Sequence, residues 1–239
     1  MSELDPLPED WTRALAVVAH PDDLEYGAAS AIARWTDQGK QVVYCMVTSG
    51  EAGIDSMAPD ECARLRQEEE RRSAAIVGVD VVEFLNHPDG LVEASVVLRR
   101  DIAAAIRRHR PEVLISINFR ENFGMPGFNH ADHRATGIAL IDAARDAGNR
   151  WLFVGAGGDP WGGVRFTAFG NSPQATHAVD VTDTIDRGVA SLEAHRVYLD
   201  ALPEGTLGTD PDGFLRGMAT ETGPRLGVEA AVAFEVIPN

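Results

Sequence analysis

A short apolar run, Ala14-Leu15-Ala16-Val17-Val18, leads straight into Ala19-His20-Pro21-Asp22-Asp23. The run is too short to cross a membrane and has the length and β-branching of a buried strand. One imidazole and two adjacent carboxylates stand at its end. In an open α/β sheet, ligands bind in the crevice beyond the carboxyl ends of the strands. A metal-ligand type and a candidate general base therefore arrive together where such folds place their sites.

The rest of the chain supplies that sheet. Tyr26 to Asp37 reads as a helix stopped by Gly39, and Gln41 to Thr48 as a second strand. Asp60 to Val77 is a long helix with Arg and Glu at supporting i, i+3 and i, i+4 spacings. Asp80 to Leu85, the amphipathic stretch Ala94 to Arg110 and Val113 to Asn118 continue the alternation. Such alternation predicts a mostly parallel sheet with helices on both faces. Further on, Asp132 to Ala147 reads as a helix and Val179 to Val181 as a short strand. Thr184 to Leu199 reads as a helix, Pro203 to Gly213 as a surface loop, and Ala230 to Ile237 as a helix end or a final strand. With 239 residues and 44% hydrophobic content, one α/β domain over 1–239 is expected.

Charge narrows the partners. The net charge is −16, from 37 acidic against 21 basic residues. Phosphate backbones need Lys and Arg to displace counterions, so nucleic acid is disfavoured, and so are anionic membrane surfaces. Cys45 and Cys62 form no C-x-x-C, which removes zinc-ribbon and thioredoxin-like readings. No basic n-region precedes an apolar segment, and no run reaches transmembrane length. A cytoplasmic protein is expected.

A second cluster of chemistry lies more than a hundred residues after the first. Asn129-His130-Ala131-Asp132-His133 follows the Gly-containing loop Phe119 to Asn129, with Asn129 the expected N-cap of the next helix. Zinc takes His nitrogen and Asp oxygen, and a catalytic zinc keeps three protein ligands and an open position. His20, one of the two consecutive aspartates and a histidine of the second motif make such a set, leaving the other aspartate to face water.

The two motifs together resemble the PIG-L/LmbE family of zinc-dependent N-acetylglucosaminyl deacetylases, which carries A-H-P-D-D-E and, later, H-x-D-H. Here Leu24 precedes Glu25, Ala131 stands where Pro is common, and Phe128 occupies a place where some relatives carry Tyr. Thr48-Ser49-Gly50-Glu51-Ala52-Gly53, Arg66-Gln67-Glu68-Glu69, Gly78-Val79 and Asp89-Gly90 match as well. The resemblance runs from about Leu15 to Ala147 and more weakly onward through Asp180 and His195. It implies a Rossmann-like three-layer sandwich with the metal site at the C-terminal strand ends. It assigns His20, Asp23 and His133 to the metal, Zn2+ with Fe2+ as the other candidate. Asp22 becomes the general base that later protonates the leaving amine. His130, supported by Asp132, becomes the stabiliser of the oxyanion as an imidazolium. Arg66 and Asp89 match positions that hold sugar hydroxyls.

The implied activity is removal of an N-acetyl or related N-acyl group from an amino-sugar substrate or glycoside by metal-activated water. An amidase of a thiol-sugar conjugate would use the same site. The resemblance also leaves room for a homo-oligomer. A nucleotide-dependent oxidoreductase would need G-x-G-x-x-G after the first strand, and Ala19 to Gly27 lacks it. A non-catalytic metal- or sugar-binding protein would be marked by loss of a ligand or base, and none is missing. Phe123, Phe128, Trp151 and Trp161 are candidates for the pocket lining, and Trp151 to Asn171 for a second wall or lid with an extra strand.

Overall fold

A computed structural model describes residues 3–124, 127–203, 205–206 and 208–239. Pro126 of the loop before the second motif, and Glu204 and Leu207 of the expected surface loop, lie outside the described residues. The strands are β1 (Asp5–Pro6), β2 (Arg13–Val18), β3 (Gln41–Met46), β4 (Val81–Phe84), β5 (Val113–Ile117), β6 (Phe166–Gly170), β7 (His177–Asp180) and β8 (Ala231–Pro238). The helices are α1 (Asp23–Gly27), α2 (Ala29–Asp37), α3 (Pro59–Ile76), α4 (Val96–His109), α5 (Ala131–Gly148), α6 (Ile185–Glu193), α7 (Arg196–Ala201) and α8 (Pro211–Leu226).

The strands form one sheet in the order β1-β7-β8-β6-β5-β2-β3-β4. β8 pairs antiparallel with both β6 and β7, and the other pairings are parallel. Both faces are covered, which is why β2 reads as a continuous apolar run rather than an alternating one. Ala14, Ala16 and Val18 of β2 pack on one face, with Tyr44, Ile115, Trp35 and Leu192. Leu15 and Val17 pack on the other, with Ile102, Ile106, Leu140 and Phe169. Truncating a fully buried residue such as Leu114 to Ala would cost about 2–5 kcal/mol. None of the described helices is long and apolar enough to cross a membrane.

Topology fixes the site. The chain runs outward from β2 to β3 and β4, then returns to place β5 on the other side of β2. The strand order therefore reverses between β2 and β5, and the crevice at such a switch point is where α/β folds bind ligands. Both motifs leave the sheet there.

Several local expectations change. Helix begins at Asp23, earlier than Tyr26, and breaks at Ala28, whose φ of −147° separates α1 from α2. The stretch Thr184 to Leu199 breaks at Ala194-His195 into α6 and α7. The tail is a strand, β8. α8 was not expected: Gly213, Gly217, Gly223 and Pro224 lower its helix propensity. It starts with Asp210 as N-cap, accepting from the Gly213 amide, and with Pro211 in its first turn.

Candidate metal centre and active site

The turn after β2 is built on an unusual residue. Asp22 has φ 89° and ψ −20°, left-handed for a non-glycine residue, at a cost of about 1–2 kcal/mol. Asp23 then opens α1, and its Oδ2 accepts the His20 amide at 2.8 Å. His20, Asp22 and Asp23 are 9%, 5% and 5% exposed, so the charges here are set by neighbours rather than by bulk water.

Beyond β5, buried Asn129 ties the second loop down. Its Nδ2 donates to Asn118 O at 2.7 Å and to Arg120 O at 3.0 Å, and its Oδ1 accepts the His130 amide. The N-cap of α5 is therefore His130 rather than Asn129. His130 Nδ1 accepts the Asp132 amide at 3.2 Å.

Three donors from the two loops converge. His20 Nδ1 lies 3.2 Å from His133 Nε2, which lies 3.1 Å from Asp23 Oδ1, and Asp23 Oδ2 is 3.6 Å from His20 Nδ1. The opposite edge of each imidazole faces oxygen. His133 Nδ1 is 2.9 Å from Asn129 Oδ1. His20 Nε2 is 3.1 Å from Asp89 Oδ1 and 3.3 Å from Asp132 Oδ2. An N–H placed on each outer nitrogen leaves two lone pairs and a carboxylate oxygen facing one another. That arrangement calls for a cation, and carboxylate–histidine pairs of this kind orient metal-bound imidazoles. His130 stands at the edge of the same group, its ring centroid 5.0 Å from that of His20, and the three imidazoles together also satisfy metal-ligand spacing.

Environment separates the two aspartates. Burial pushes Asp23 up, but His133 and His20 outweigh it and hold the carboxyl far below the usual range. Burial lifts Asp22 to about 7, helped by Asp23 and opposed by Arg66. Burial lowers His130, and the neighbouring His20 and His133 lower it further. A neutral His130 agrees with its Nδ1 accepting an N–H. The imidazolium expected from sequence would have to give up that cap.

The third wall is α3, whose inward face is polar. Arg66, Glu70 and Ser73 recur at i, i+4 and i+7 and are all buried. Arg66 Nη2 donates to Pro21 O at 2.5 Å and lies 3.1 Å from Asp22 Oδ2, while Nη1 donates to Gly50 O at 3.2 Å. Gly50 has φ 64°, and a Cβ there would fall 2.3 Å from Nη1, so this approach requires glycine. Tyr198 covers the guanidinium, 4.1 Å from ring centroid to Cζ. Glu70 Oε2 accepts the Asp22 amide at 3.1 Å.

These groups surround a cavity of about 340 Å³ lined by His20, Asp22, Asp23, Arg66, Asp89, His130 and His133, with Tyr26 and Tyr198. All the metal and acid–base candidates from sequence thus meet at one place, Asp132 lying just behind the wall beneath His20. Asp132 is fully buried and accepts the Gly90 and Val92 amides, so it supports His20 and the Asp89 turn. Asp89 Oδ2 accepts the Ala52 amide. Arg66 is 3% exposed with its N–H groups turned inward, a buttress for Asp22 rather than an open clamp.

The aromatic candidates fall elsewhere. Phe123, Phe128, Trp151 and Trp161 do not line the cavity. Trp161 donates to Pro111 O and packs by Arg13 and Arg110, at the amino-terminal end of the strands. Arg107 holds this segment there through the carbonyls of Asn149, Leu152, Phe153 and Ala156. The expected extra strand is β6. Sequence reasoning missed Tyr26, Tyr198 and Glu70. Only Glu70 carried a signal, as an acidic residue on the helical stripe that includes Cys62, Ala74 and Val77.

The diacetylchitobiose deacetylase of Thermococcus kodakarensis is 30% identical over 96% of this chain and 85% of its own length. A 1D-myo-inositol 2-acetamido-2-deoxy-alpha-D-glucopyranoside deacetylase of Kineococcus radiotolerans is 31% identical over 62% of this chain and 49% of its own. The solved N,N'-diacetylchitobiose deacetylase of Pyrococcus horikoshii superposes with a TM-score of 0.84 at 26% identity, covering 96% of this chain and 85% of that one. Residues 15–144, which span both motifs, match the GlcNAc-PI de-N-acetylase description, and the chain belongs to this PIG-L family.

Proposed function

We propose that the protein is a metal-dependent deacetylase of N-acetylated amino sugars, with the ion held by His20, Asp23 and His133 and Asp22 as the general base. One observation carries the reading. Two imidazole nitrogens face each other at 3.2 Å, each also facing one oxygen of the Asp23 carboxylate at 3.1 or 3.6 Å, while the far nitrogen of each ring is committed to oxygen. Zinc or ferrous iron suits this donor set, and such an ion supplies Lewis acidity and makes hydroxide available near pH ~7.

The chain's own residues do the rest. Asp22 takes the proton of the attacking water on its carboxylate and returns it to the departing amine. Arg66 holds that carboxylate against the pocket wall. Neutral His130, its Nδ1 occupied by the Asp132 amide, directs Nε2–H toward the position where the amide oxygen gains charge. Asp89 keeps acceptor capacity for a sugar hydroxyl beyond its bonds to Ala52 and His20. The rings of Tyr26 and Tyr198 add to the cavity wall. The near full-length similarity to diacetylchitobiose deacetylases makes a short β-linked N-acetylglucosaminide the substrate class to test first. The acidic balance supports a small-molecule partner over nucleic acid. The free thiols Cys45 and Cys62 fit a reducing, cytoplasmic setting.

The test is free-amine release from diacetylchitobiose, an inositol-linked N-acetylglucosaminide and an N-acylated thiol-sugar conjugate, with metal-loaded and chelated protein. Release from at least one, lost on chelation and restored by zinc or iron, is the expected result. Equal release after complete metal removal would overturn the reading.

A further inference from the structure

We propose that Glu70 is a positioning residue. By accepting the Asp22 backbone N–H it holds the base-bearing residue in its left-handed conformation, with Glu25 and His195 packed behind Glu70. The proposal rests on the role given to Asp22 above. Its observations are independent of the metal donors.

Asp22 is one of five described non-glycine residues with positive φ, and among those five it is the one that lines the cavity. An L-residue does not stay in that region unaided, so the surroundings must over-determine it. They do so from one helix. Arg66 binds the Pro21 carbonyl and the Asp22 carboxylate, and one turn later Glu70 Oε2 takes the Asp22 amide at 3.1 Å. The Pro21 carbonyl and Asp22 carboxylate are gripped by the Arg66 cation and the Asp22 amide by a carboxyl oxygen of Glu70, both on the same face of α3.

Glu70 is itself fully buried, with a second layer of buried side chains behind it. His195 Nε2 lies 3.7 Å from Glu70 Oε2 and 3.7 Å from Glu25 Oε2, with all three side chains buried. Glu25 is fixed through Oε1 by the Ser73 hydroxyl at 2.7 Å, and Ser73 meets Ser191 of α6 at 2.7 Å. The segment carrying His195 is docked on α3 by Glu69, which accepts the Val197 amide at 2.6 Å. A contiguous path of buried side chains therefore runs from α6 and α7 through α3 to the backbone of Asp22. Its consequence is catalytic, because a displacement of about 1 Å at a proton-transfer group costs roughly 10²-fold in rate.

The experiment uses the metal-loaded full chain and three readouts. Glu70→Met keeps the size but removes the acceptor, whereas Glu70→Gln keeps a carbonyl for the Asp22 amide. Glu70→Met is expected to lower kcat roughly 10–100-fold with KM and metal content unchanged, and Glu70→Gln to stay within a few-fold of wild type. In an Asp22→Asn background, Glu70→Met should cost nothing further, since there is no base left to position. Additive losses would overturn the proposal, as would loss of a bound ion from Glu70→Met, which would assign the cluster to metal binding. Amide exchange of Asp22, followed by NMR, is independent of activity. The amide should be protected in wild type and in Glu70→Gln and exposed in Glu70→Met. An unprotected Asp22 amide in the wild type overturns the proposal even if Glu70→Met fails to fold. Absence of deacetylase activity in the wild type would defeat the functional reading and leave the exchange result to decide the role of Glu70.

Discussion

Two three-donor clusters lie on either side of Asp22, and they differ in one respect. His20, Asp23 and His133 have their outer atoms engaged: His133 Nδ1 by Asn129, His20 Nε2 by Asp89 and Asp132. Glu25, Glu70 and His195 have similar chemistry and similar spacing, yet among the described residues neither nitrogen of His195 has a hydrogen-bond partner, nor do Glu25 Oε2 and Glu70 Oε1. Burial, followed by Arg66, lowers His195 to about 3, so its ring is neutral. Donor type and proximity are thus common to both. Only in the first does a shell fix each tautomer and aim each lone pair, as the outer partners of metal-bound imidazoles do. The first cluster opens into the cavity and the second is sealed beneath it.

The sharpest way to break the comparison is to count metal. His20→Ala, Asp23→Ala and His133→Ala should each abolish turnover and release the ion, with the fold retained by circular dichroism. His195→Phe should keep full metal occupancy. Elemental analysis of the four purified proteins checks this, and retention of the ion in His133→Ala would remove that residue from the ligand set.

Next in size is the base. Asp22→Asn should retain the ion and lose about 10²–10⁴-fold in kcat, because the amide cannot accept a proton. Asp22 acts as carboxylate, so the rate should rise with pH through its titration and fall as pH drops. Burial sets that group at about 7 in the metal-free protein. A cation beside it favours the ionised form, so the acid limb of kcat should lie below that value in the loaded enzyme. An acid limb that survives unchanged in Asp22→Asn would assign it to another group.

His130→Ala should lower kcat by about 10²–10³-fold, the scale for one oxyanion donor, with metal content intact. Since His130 caps α5 through Nδ1 and is depressed by burial and its neighbouring histidines, it should act neutral. The alkaline limb of the pH–rate profile should then be the same in His130→Gln as in wild type. Movement of that limb would restore the imidazolium expected from sequence.

What the sequence disclosed follows from this same contrast. Both loop motifs were legible because imidazoles and carboxylates at strand ends have few structural reasons to cluster. The covered parallel sheet was legible from the apolar runs of β2, β3 and β5. Of the inner face of α3 only Arg66 stood out, by resemblance: Glu69 and Glu70 sit among many charges, and charged residues at i, i+3 and i, i+4 also describe a solvated helix. Trp151 and Trp161 misled because aromatic, Gly-rich segments suit a pocket wall as well as a loop in which Trp151 stays exposed and Trp161 packs by Arg13 and Arg110. α8 was hidden by its glycines and Pro224, and is held instead by packing against α6 and β8.

Supporting groups of the first cluster should show smaller effects. Asp132→Asn weakens the acceptor facing His20 Nε2, and Asn129→Ala removes the one facing His133 Nδ1. Each should weaken metal affinity by about 10–100-fold, read by competition with a chromophoric chelator. Equal affinity in both variants and wild type would mean that the outer oxygens do not distinguish the two clusters.

The smallest effect concerns the second cluster and appears as stability. Burial raises the Glu25 carboxyl from 4.5 to about 7, with Asp22 adding to the shift against the pull of Ser73. A carboxyl raised on folding binds its proton more tightly in the native state. Its stabilising contribution is therefore fully present below the unfolded value and declines as pH rises through the folded one. Across about pH 4.5 to 7, Glu25 should thus make the wild type progressively less stable relative to a neutral isostere. Glu25→Gln can keep the Ser73 hydrogen bond and carries no charge to bury. Its melting temperature relative to wild type should rise between pH 5 and pH 8, in metal-free protein so that the ion contributes nothing. A difference independent of pH would mean that folding leaves the titration of Glu25 unshifted, and that its charge is compensated inside the second cluster without a metal.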